Sequence, residues 1–334
     1  MQRLGGETMV LYADLRERLE IFEALRGIAS LPGDFVTKTV SGRVYHYFQA
    51  TLVGGRSQIY LGPDSDEVRR LIAAKLAGSG GVEADEALLQ RLAAQVTAGG
   101  ARPVLPDMAR IVKRLADSGV FRVGGVLVGT VAFQVLGPHL GIDWANALRT
   151  TQDVDLAVDT VALAVPDLQA DVPAALNALE MGFFPVPRLS RSEPSTSYAI
   201  RGRTLRVDLL TPMRKGQTSP VFLRRLNAAA LPLRYLDYLI ADPVDAVLLA
   251  GMPCLVKVPQ PARYALHKLI ISQERDVTSA AKKQKDLQQA ISLIEVLRAD
   301  RPGDLQLART ALIEHGPGWV KKVEAACREA QLEW

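Results

Sequence analysis

The sequence predicts an α+β protein, with a mixed sheet flanked by helices, a small helix and β-hairpin region before it and a mainly helical region after it. Three observations carry this expectation. Apolar residues recur with helical spacing near the start, then switch to the alternation of strands between Arg43 and Leu61. The stretch Phe121–Asp159 reads as strand, turn, helix and second strand, and beyond Pro220 helical spacing dominates. At 334 residues the chain exceeds the usual domain of about 100–200 residues, so it is divided into 1–100, 101–218 and 219–334.

In the first region, Leu11, Leu15, Leu19, Phe22 and Leu25 recur three or four apart and predict a helix over 9–29. Two β-rich runs, Arg43–Leu52 and Arg56–Leu61, are joined through Gly54-Gly55 as a hairpin, and Asp64–Leu76 follows as a helix. Arg43, Tyr45, Tyr47, Arg56 and Tyr60 place aromatic rings and guanidinium groups on this small sheet. Base stacking and phosphate pairing use those residue types, although strands favour tyrosine in any case and a sheet packed on its own helices is the plainer reading. Residues 77–86 form a break, Glu83–Val96 a helix, and the Gly and Pro residues of 99–106 a domain boundary. Asp107 is expected to cap a helix through Leu115 that Gly119 ends.

The central stretch carries the chemistry. An apolar strand runs into Gly129-Thr130, which opens a helix, and the next strand holds Asp153 and Asp155. Residues two apart on a strand point to one face, so the two carboxylates are paired while Val154, Leu156 and Val158 face the core. Like charges so close need a shared proton or a cation. Magnesium suits such a site because it takes hard oxygen ligands and keeps water or phosphate in its remaining positions. Free N–H groups at a helix start receive phosphate, and a glycine lets the backbone come close. The Gly124, Gly125, Gly129 run has neither the spacing of a dinucleotide fingerprint nor the lysine of a Walker A loop. Gly124 and Gly125 are expected to allow close packing in a buried strand.

After a helix over Asp167–Glu180, Ser197–Ile200 and Thr204–Leu210 flank the turn Arg201-Gly202-Arg203 and return Asp208 to the sheet among apolar neighbours. A strand aspartate there is paired with arginine or lysine, or shares the metal of the other two. Further strands are expected at Leu231–Ile240 and Cys254–Val258. A helix starting near Ala262 carries Lys268 and Arg275 on one face. Asp286 would share that face, but a straight helix would hold it about 27 Å from Lys268. Asp276, Thr278 and Ser279 are N-cap types, so the helix is expected to break there and restart at Ala280, folding Lys268 and the Lys282–Asp286 cluster toward one cleft. Arg275, Lys282, Lys283 and Lys285 taken singly read as surface charges, and His267 as structural.

The set VGT at 128–130, DVD at 153–155 and VDLL at 207–210 resembles the DNA polymerase β-like nucleotidyltransferase superfamily. The likeness covers roughly residues 105 to 300 and runs to bacterial nucleotidyltransferase-fold proteins, more distantly to AbiEii and MenT-type toxins. It implies a nucleotidyltransferase sheet with Gly129 and Thr130 at the phosphate turn, and with Asp153, Asp155 and Asp208 as catalytic metal ligands. Lys268 and the pair Lys285-Asp286 fall where those relatives carry a lysine and a later basic-acidic pair. The implied reaction uses Mg²⁺ or Mn²⁺ and an NTP, moves an NMP to an acceptor hydroxyl on RNA such as tRNA, on protein or on a small molecule, and releases pyrophosphate. A toxin-antitoxin or phage-defence role is suggested by the distant relatives. The gap GPHLGIDWANALRT between turn and acid pair is longer than in many members and is expected to be a lid or extra helix, with Asp143 as an alternative acid.

Two other classes stay open, a catalytically silent fold that binds nucleic acid and an interaction scaffold whose aspartates pair with Arg201, Arg203 or Arg206. The net charge of +4 set against 40 basic and 36 acidic residues only permits a nucleic-acid partner. Cys254 and Cys327 show no metal or disulfide spacing. With neither a signal-peptide pattern nor a membrane-length apolar run, a cytoplasmic location is expected.

Overall fold

A computed structural model of the chain describes residues 1–29, 33–52, 55–66, 68–69, 72–73, 82–144, 149, 151–160, 169–190 and 192–333. Its centre is a seven-stranded mixed sheet with helices on both sides. The strands are β5 (Gly125–Val128), β7 (Asp153–Val158), β8 (Phe183–Pro185), β9 (Ser197–Ile200), β10 (Arg206–Pro212), β11 (Val221–Leu223) and β12 (Ala228–Leu233). β7 lies antiparallel to β5 and parallel to β10. The other edge of β10 is shared: β9 pairs antiparallel with Arg206–Asp208, and β12 pairs parallel with Leu210–Pro212. Asp208 therefore sits where one neighbour gives way to the next.

The alternation read in β7 places Val154, Leu156 and Val158 in the core, with Asp153 exposed and Asp155 half-buried on the opposite face. Helix α3 (Pro106–Asp117) buries Met108, Ile111, Val112 and Leu115, the stripe that 3.6-residue spacing creates. Its N-cap is Leu105, so Asp107 is not the cap but a first-turn acid, paired with Arg203. Ser118 is the C-cap and Gly119, at φ +89°, leaves the helix in a conformation that only glycine adopts without strain. The strand expected from Phe121 begins only at Gly125, because the chain turns through Gly124 at φ +95°. A β-carbon at Gly125 would press on the Val120 carbonyl at 2.7 Å, which accounts for the glycine there.

Helix α4 (Gly129–His139) is buried on nearly every side and leads into the long gap before the acid pair. That segment is not a lid where it is described. Ile142–Asp143 forms a short strand, β6, paired with β1 (Gln2–Arg3), and Trp144 is buried, stacked on Phe133 at 4.7 Å and donating to its carbonyl at 2.8 Å. Residues 145–148 and 150 lie outside the described residues.

In the N-terminal part, α1 (Gly6–Ala29) and α2 (Val82–Ala98) pack through Tyr12, Leu15, Leu19, Leu89, Leu92 and Val96. The same cluster takes in Val247 and Leu249 at the hairpin of β13 (Val244–Leu248) and β14 (Cys254–Val258). The predicted hairpin gains a strand, giving a three-stranded antiparallel sheet of β2 (Gly33–Val40), β3 (Arg43–Leu52) and β4 (Gly55–Pro63). The connection at Gly54, residues 67, 70–71 and 74–76 of the helix expected there, residues 77–81 of the expected break and the start of the Asp167 helix lie outside the described residues, while residues 82–86 of that break are already the first turns of α2. Where that last helix is described it is α5 (Val172–Asn177), capped by Asp171, whose carboxylate accepts from the Ala174 N–H at 2.8 Å.

The strand expected over Leu231–Ile240 ends at Leu233, and the chain turns through Tyr235 into α6 (Leu236–Ile240). Helix α7 (Pro261–Glu274) ends where the cap residues foretold, a short 3₁₀ turn follows, and α8 (Ala280–Asp300) runs back along it. Leu266, Leu269 and Ile270 pack with Leu287, Ala290, Leu293 and Ile294 in the main core, and α9 (Pro302–Glu314) and α10 (Pro317–Ala330) complete the helical region. Among the described residues, no helix is long and apolar enough to cross a membrane.

Candidate active site

The parallel register of β7 and β10 sets Asp208 directly opposite Asp155, and Arg206 opposite Asp153. The face that carries Asp153 and Asp155 thus continues onto the next strand with a third carboxylate. Val128, the last residue of β5, lies opposite Asp155 on the other side, which delivers Gly129 to the same point. Gly129 has φ +65°, and a β-carbon there would collide with the Asp155 carboxylate, so glycine is required twice over. The cap residue Val128 offers no side-chain hydrogen bond to the first N–H groups of α4. A helix start without a side-chain cap next to an acid pair is the arrangement expected of a phosphate turn beside a metal site.

Electrostatics follow from this crowding. Burial, then Asp208, then Asp153 push the Asp155 carboxyl up to about 7 against the pull of Lys268 and Lys282. Asp208 is also raised by burial, opposed by the Ser197 hydroxyl, which donates to its Oδ1. Among the described residues, Asp153, Asp155 and Asp208 form no ion pair with Arg201, Arg203 or Arg206. Arg203 is taken by Asp107 at 3.1 Å, and Arg201 lies over the Phe184 ring at 5.7 Å. Asp143, the alternative acid, is paired with Arg102 at 2.9 Å and is barely exposed.

The cations arrive from the folded-back helices. Lys285 Nζ donates to Thr130 Oγ1 at 3.0 Å, so α8 touches the turn itself. Lys268 Nζ donates to Asp286 Oδ1 at 2.6 Å, and Arg275 Nε to Asp286 Oδ2 at 3.0 Å. Asp286 is buried and acts as a bracket between two cations rather than facing the acids. Arg275 and Lys285 are not the solvated charges expected of them singly, since they bond Asp286 and Thr130, whereas Lys283 forms a partly exposed pair with Glu329 at 2.8 Å, as a surface charge does. Lys282 is exposed. His267 is held neutral, its pKa lowered to about 3 by burial and then by Lys268. Just upstream of Asp153 a cleft of ≈ 870 Å³ opens, lined in part by Arg149, Thr151, Gln152 and Arg203.

A nucleotidyltransferase family model matches residues 106–313, from the first turn of α3 to the end of α9. The chain belongs to the nucleotidyltransferase family. The match spans the central sheet, the turn at Gly129, all three aspartates and the α7–α8 pair. Similarity to a solved structure, an antigenic nucleotidyltransferase-like protein from Paracoccidioides brasiliensis, covers 67% of this chain and 95% of that one, at 17% identity and a TM-score of 0.32. No curated protein matches.

Within this nucleotidyltransferase-family chain, two groups at the site, Ser197 and Tyr264, go unrecognised in the sequence. Ser197 follows from counting back along the hairpin, since pairing Ala199 with Arg206 across the Gly202 turn sets Ser197 against Asp208. Tyr264 lies one helical turn before Lys268, and its hydroxyl donates to the Gly129 carbonyl at 2.8 Å. The spacing sets Arg275 on the Lys268 face, but that the two share Asp286 is a tertiary fact with no local signal.

Proposed function

We propose that this nucleotidyltransferase moves an NMP from an NTP to an acceptor hydroxyl with release of pyrophosphate. The observation that carries the reading is the register of Asp155 against Asp208, with the Gly129 turn pressed onto the Asp155 carboxylate. A divalent cation suits this donor set, because three oxygen ligands lie together with too little positive charge to keep Asp155 ionised below neutrality. Among the described residues no three such groups stand close enough together to form a ligand sphere, so the metal reading rests on the chemistry of the donor set and not on its present geometry. Asp153, Asp155 and Asp208 would hold it. When bound, Mg²⁺ or Mn²⁺ supplies positive charge to the phosphate oxygens and offsets the repulsion among the carboxylates.

The chain's own groups account for the rest. Thr130 and the first N–H groups of α4 receive non-bridging phosphate oxygens. Lys285, already at Thr130, and Lys268, steadied by Asp286, offset the negative charge that gathers on the departing pyrophosphate. Asp208, raised by burial and oriented by Ser197, accepts the proton of the acceptor hydroxyl as its oxygen attacks the α-phosphorus and the bond from that phosphorus to pyrophosphate breaks. Likeness of the motif set to AbiEii and MenT-type toxins supports a macromolecular acceptor such as tRNA.

The test is incubation with each α-labelled NTP, Mg²⁺ or Mn²⁺, and total cellular RNA or protein. Label should enter one acceptor class with one NTP, and Asp153→Asn/Asp155→Asn should abolish it. Full incorporation by that double variant would remove the assignment.

A further inference from the structure

The small sheet β2–β3–β4 lies wholly outside residues 106–313, and the transfer reading gives it no task. Its two faces differ sharply. On one, Phe48 is fully buried against Phe35, with ring centroids 5.3 Å apart, and His46 is buried with its Nε2 2.9 Å from Asp64 Oδ1. This face supplies the sheet's own packing.

The other face carries the tyrosines. The register puts Tyr47 opposite Val36 and Tyr60, and Tyr45 opposite Lys38. Tyr60 is 56% exposed and lies 5.3 Å from the Tyr47 ring and 6.3 Å from the Tyr45 ring. Lys38 Nζ stands 4.7 Å from the Tyr47 ring centroid and donates to Gln58 Oε1 at 2.7 Å, while Arg43 is exposed beside Tyr45. Among the described residues no hydrogen bond engages the three tyrosine hydroxyls. Tyrosines that served the fold would lie on the Phe48 side. Tyr60 leaves its ring in water while Tyr45 and Tyr47 are half-buried beside it, interleaved with cations and an amide, and among the described residues the acid on this face is Asp34, at its far end opposite Gln49.

We propose that this face binds single-stranded nucleic acid, with bases stacked on Tyr45, Tyr47 and Tyr60 and phosphates held by Lys38 and Arg43. Every base offers a π-face, so stacking tolerates any sequence, and flanking cations track the backbone. An aliphatic protein partner would find polar ring edges and two cations where it needs apolar surface. The proposal is independent of the transfer reading, because binding needs no NTP, metal or turnover.

The experiment is fluorescence anisotropy of the full chain with fluorescein-labelled U-rich 12-mers, one RNA and one DNA, together with an RNA duplex. The proposal expects saturable binding of single strands above duplex, and the tighter of the RNA and DNA probes identifies the strand type. Tyr60→Ala should weaken binding about 5-fold or more and Tyr47→Ala/Tyr60→Ala about 25-fold or more, since stacking on each aromatic contributes that order of affinity. Tyr60→Phe should bind as the wild type does, because the ring suffices. Lys38→Ala should lower the slope of log Kd against log salt by about 0.7. Asp155→Asn should leave binding unchanged. Failure of either single strand to bind saturably overturns the proposal. So does unchanged affinity in Tyr60→Ala with a wild-type melting curve, or loss of binding in Asp155→Asn, which would place the strand at the acid site instead.

Discussion

Asp155→Asn should make the metal-free protein more stable, and by an amount that depends on pH. Asp155 ionises near 7 rather than near 3.8 because burial, Asp208 and Asp153 all oppose its charge. A folded pKa above the unfolded one means that the favourable contribution is complete below about pH 3.8 and is lost as pH rises through 7. At pH 8 the wild type carries a penalty of up to about 4 kcal/mol from this one carboxylate. The side chain is half-buried, so water on its open side screens part of that, and about 2 kcal/mol is the working figure. Asparagine keeps the shape without the charge. Thermal melts in EDTA should therefore show Asp155→Asn level with wild type at pH 4 and higher by about 3 °C at pH 8. Millimolar Mg²⁺ or Mn²⁺ should raise the wild type and close the gap. A variant that is equally displaced at pH 4 and pH 8, or less stable than wild type at pH 8, would refute the reasoning, since either result means that Asp155 contributes through packing rather than charge.

Three other expectations follow from the same geometry. Gly129→Ala must place a β-carbon against the Asp155 carboxylate at positive φ, so urea denaturation should register a loss of about 2 kcal/mol or more, and nucleotide incorporation should fall with it. Asp286→Ala leaves Lys268 and Arg275 without their shared anion in a buried setting, which should lower stability by about 3–5 kcal/mol, whereas removing Arg275 alone keeps the Lys268 pair and should be milder. His139 and His267 are held neutral, with pKa values lowered to about 4 and about 3, chiefly by burial. Folded values below the unfolded 6.5 mean that their contribution is intact above about pH 6.5 and is lost as pH falls toward 4. Melting temperatures of the wild type should drop across that window, and His139→Gln and His267→Gln should each flatten the fall.

Much of the site was legible because its signals are local. Asp153 and Asp155 share a face by the two-residue period of a strand, and the caps at Asp276–Ser279 announced the turn that brings Lys268 and Asp286 to 2.6 Å. Ser197 opposite Asp208 needed only hairpin counting. What escaped was tertiary. The buried bracket of Asp286 between Lys268 and Arg275, the contact of Lys285 with Thr130 and the hydroxyl of Tyr264 on Gly129 join segments more than a hundred residues apart, or two helices whose pairing no single window encodes. The segment around Ile142 was misread because its partner strand, Gln2–Arg3, is remote and only two residues long. Asp107 has the chemistry of a cap, but Pro106 already occupies the first helical position, so the helix starts one residue earlier.

The folding back of α8 onto the Gly129 turn has a consequence for how the molecule comes into being. Ribosomes release the acidic strands long before the lysines meant to face them, so a nascent or prematurely terminated product ending near residue 275 presents crowded carboxylates with half of their counter-charge missing. Such a fragment should be unstable at neutral pH until the second helix closes over the sheet.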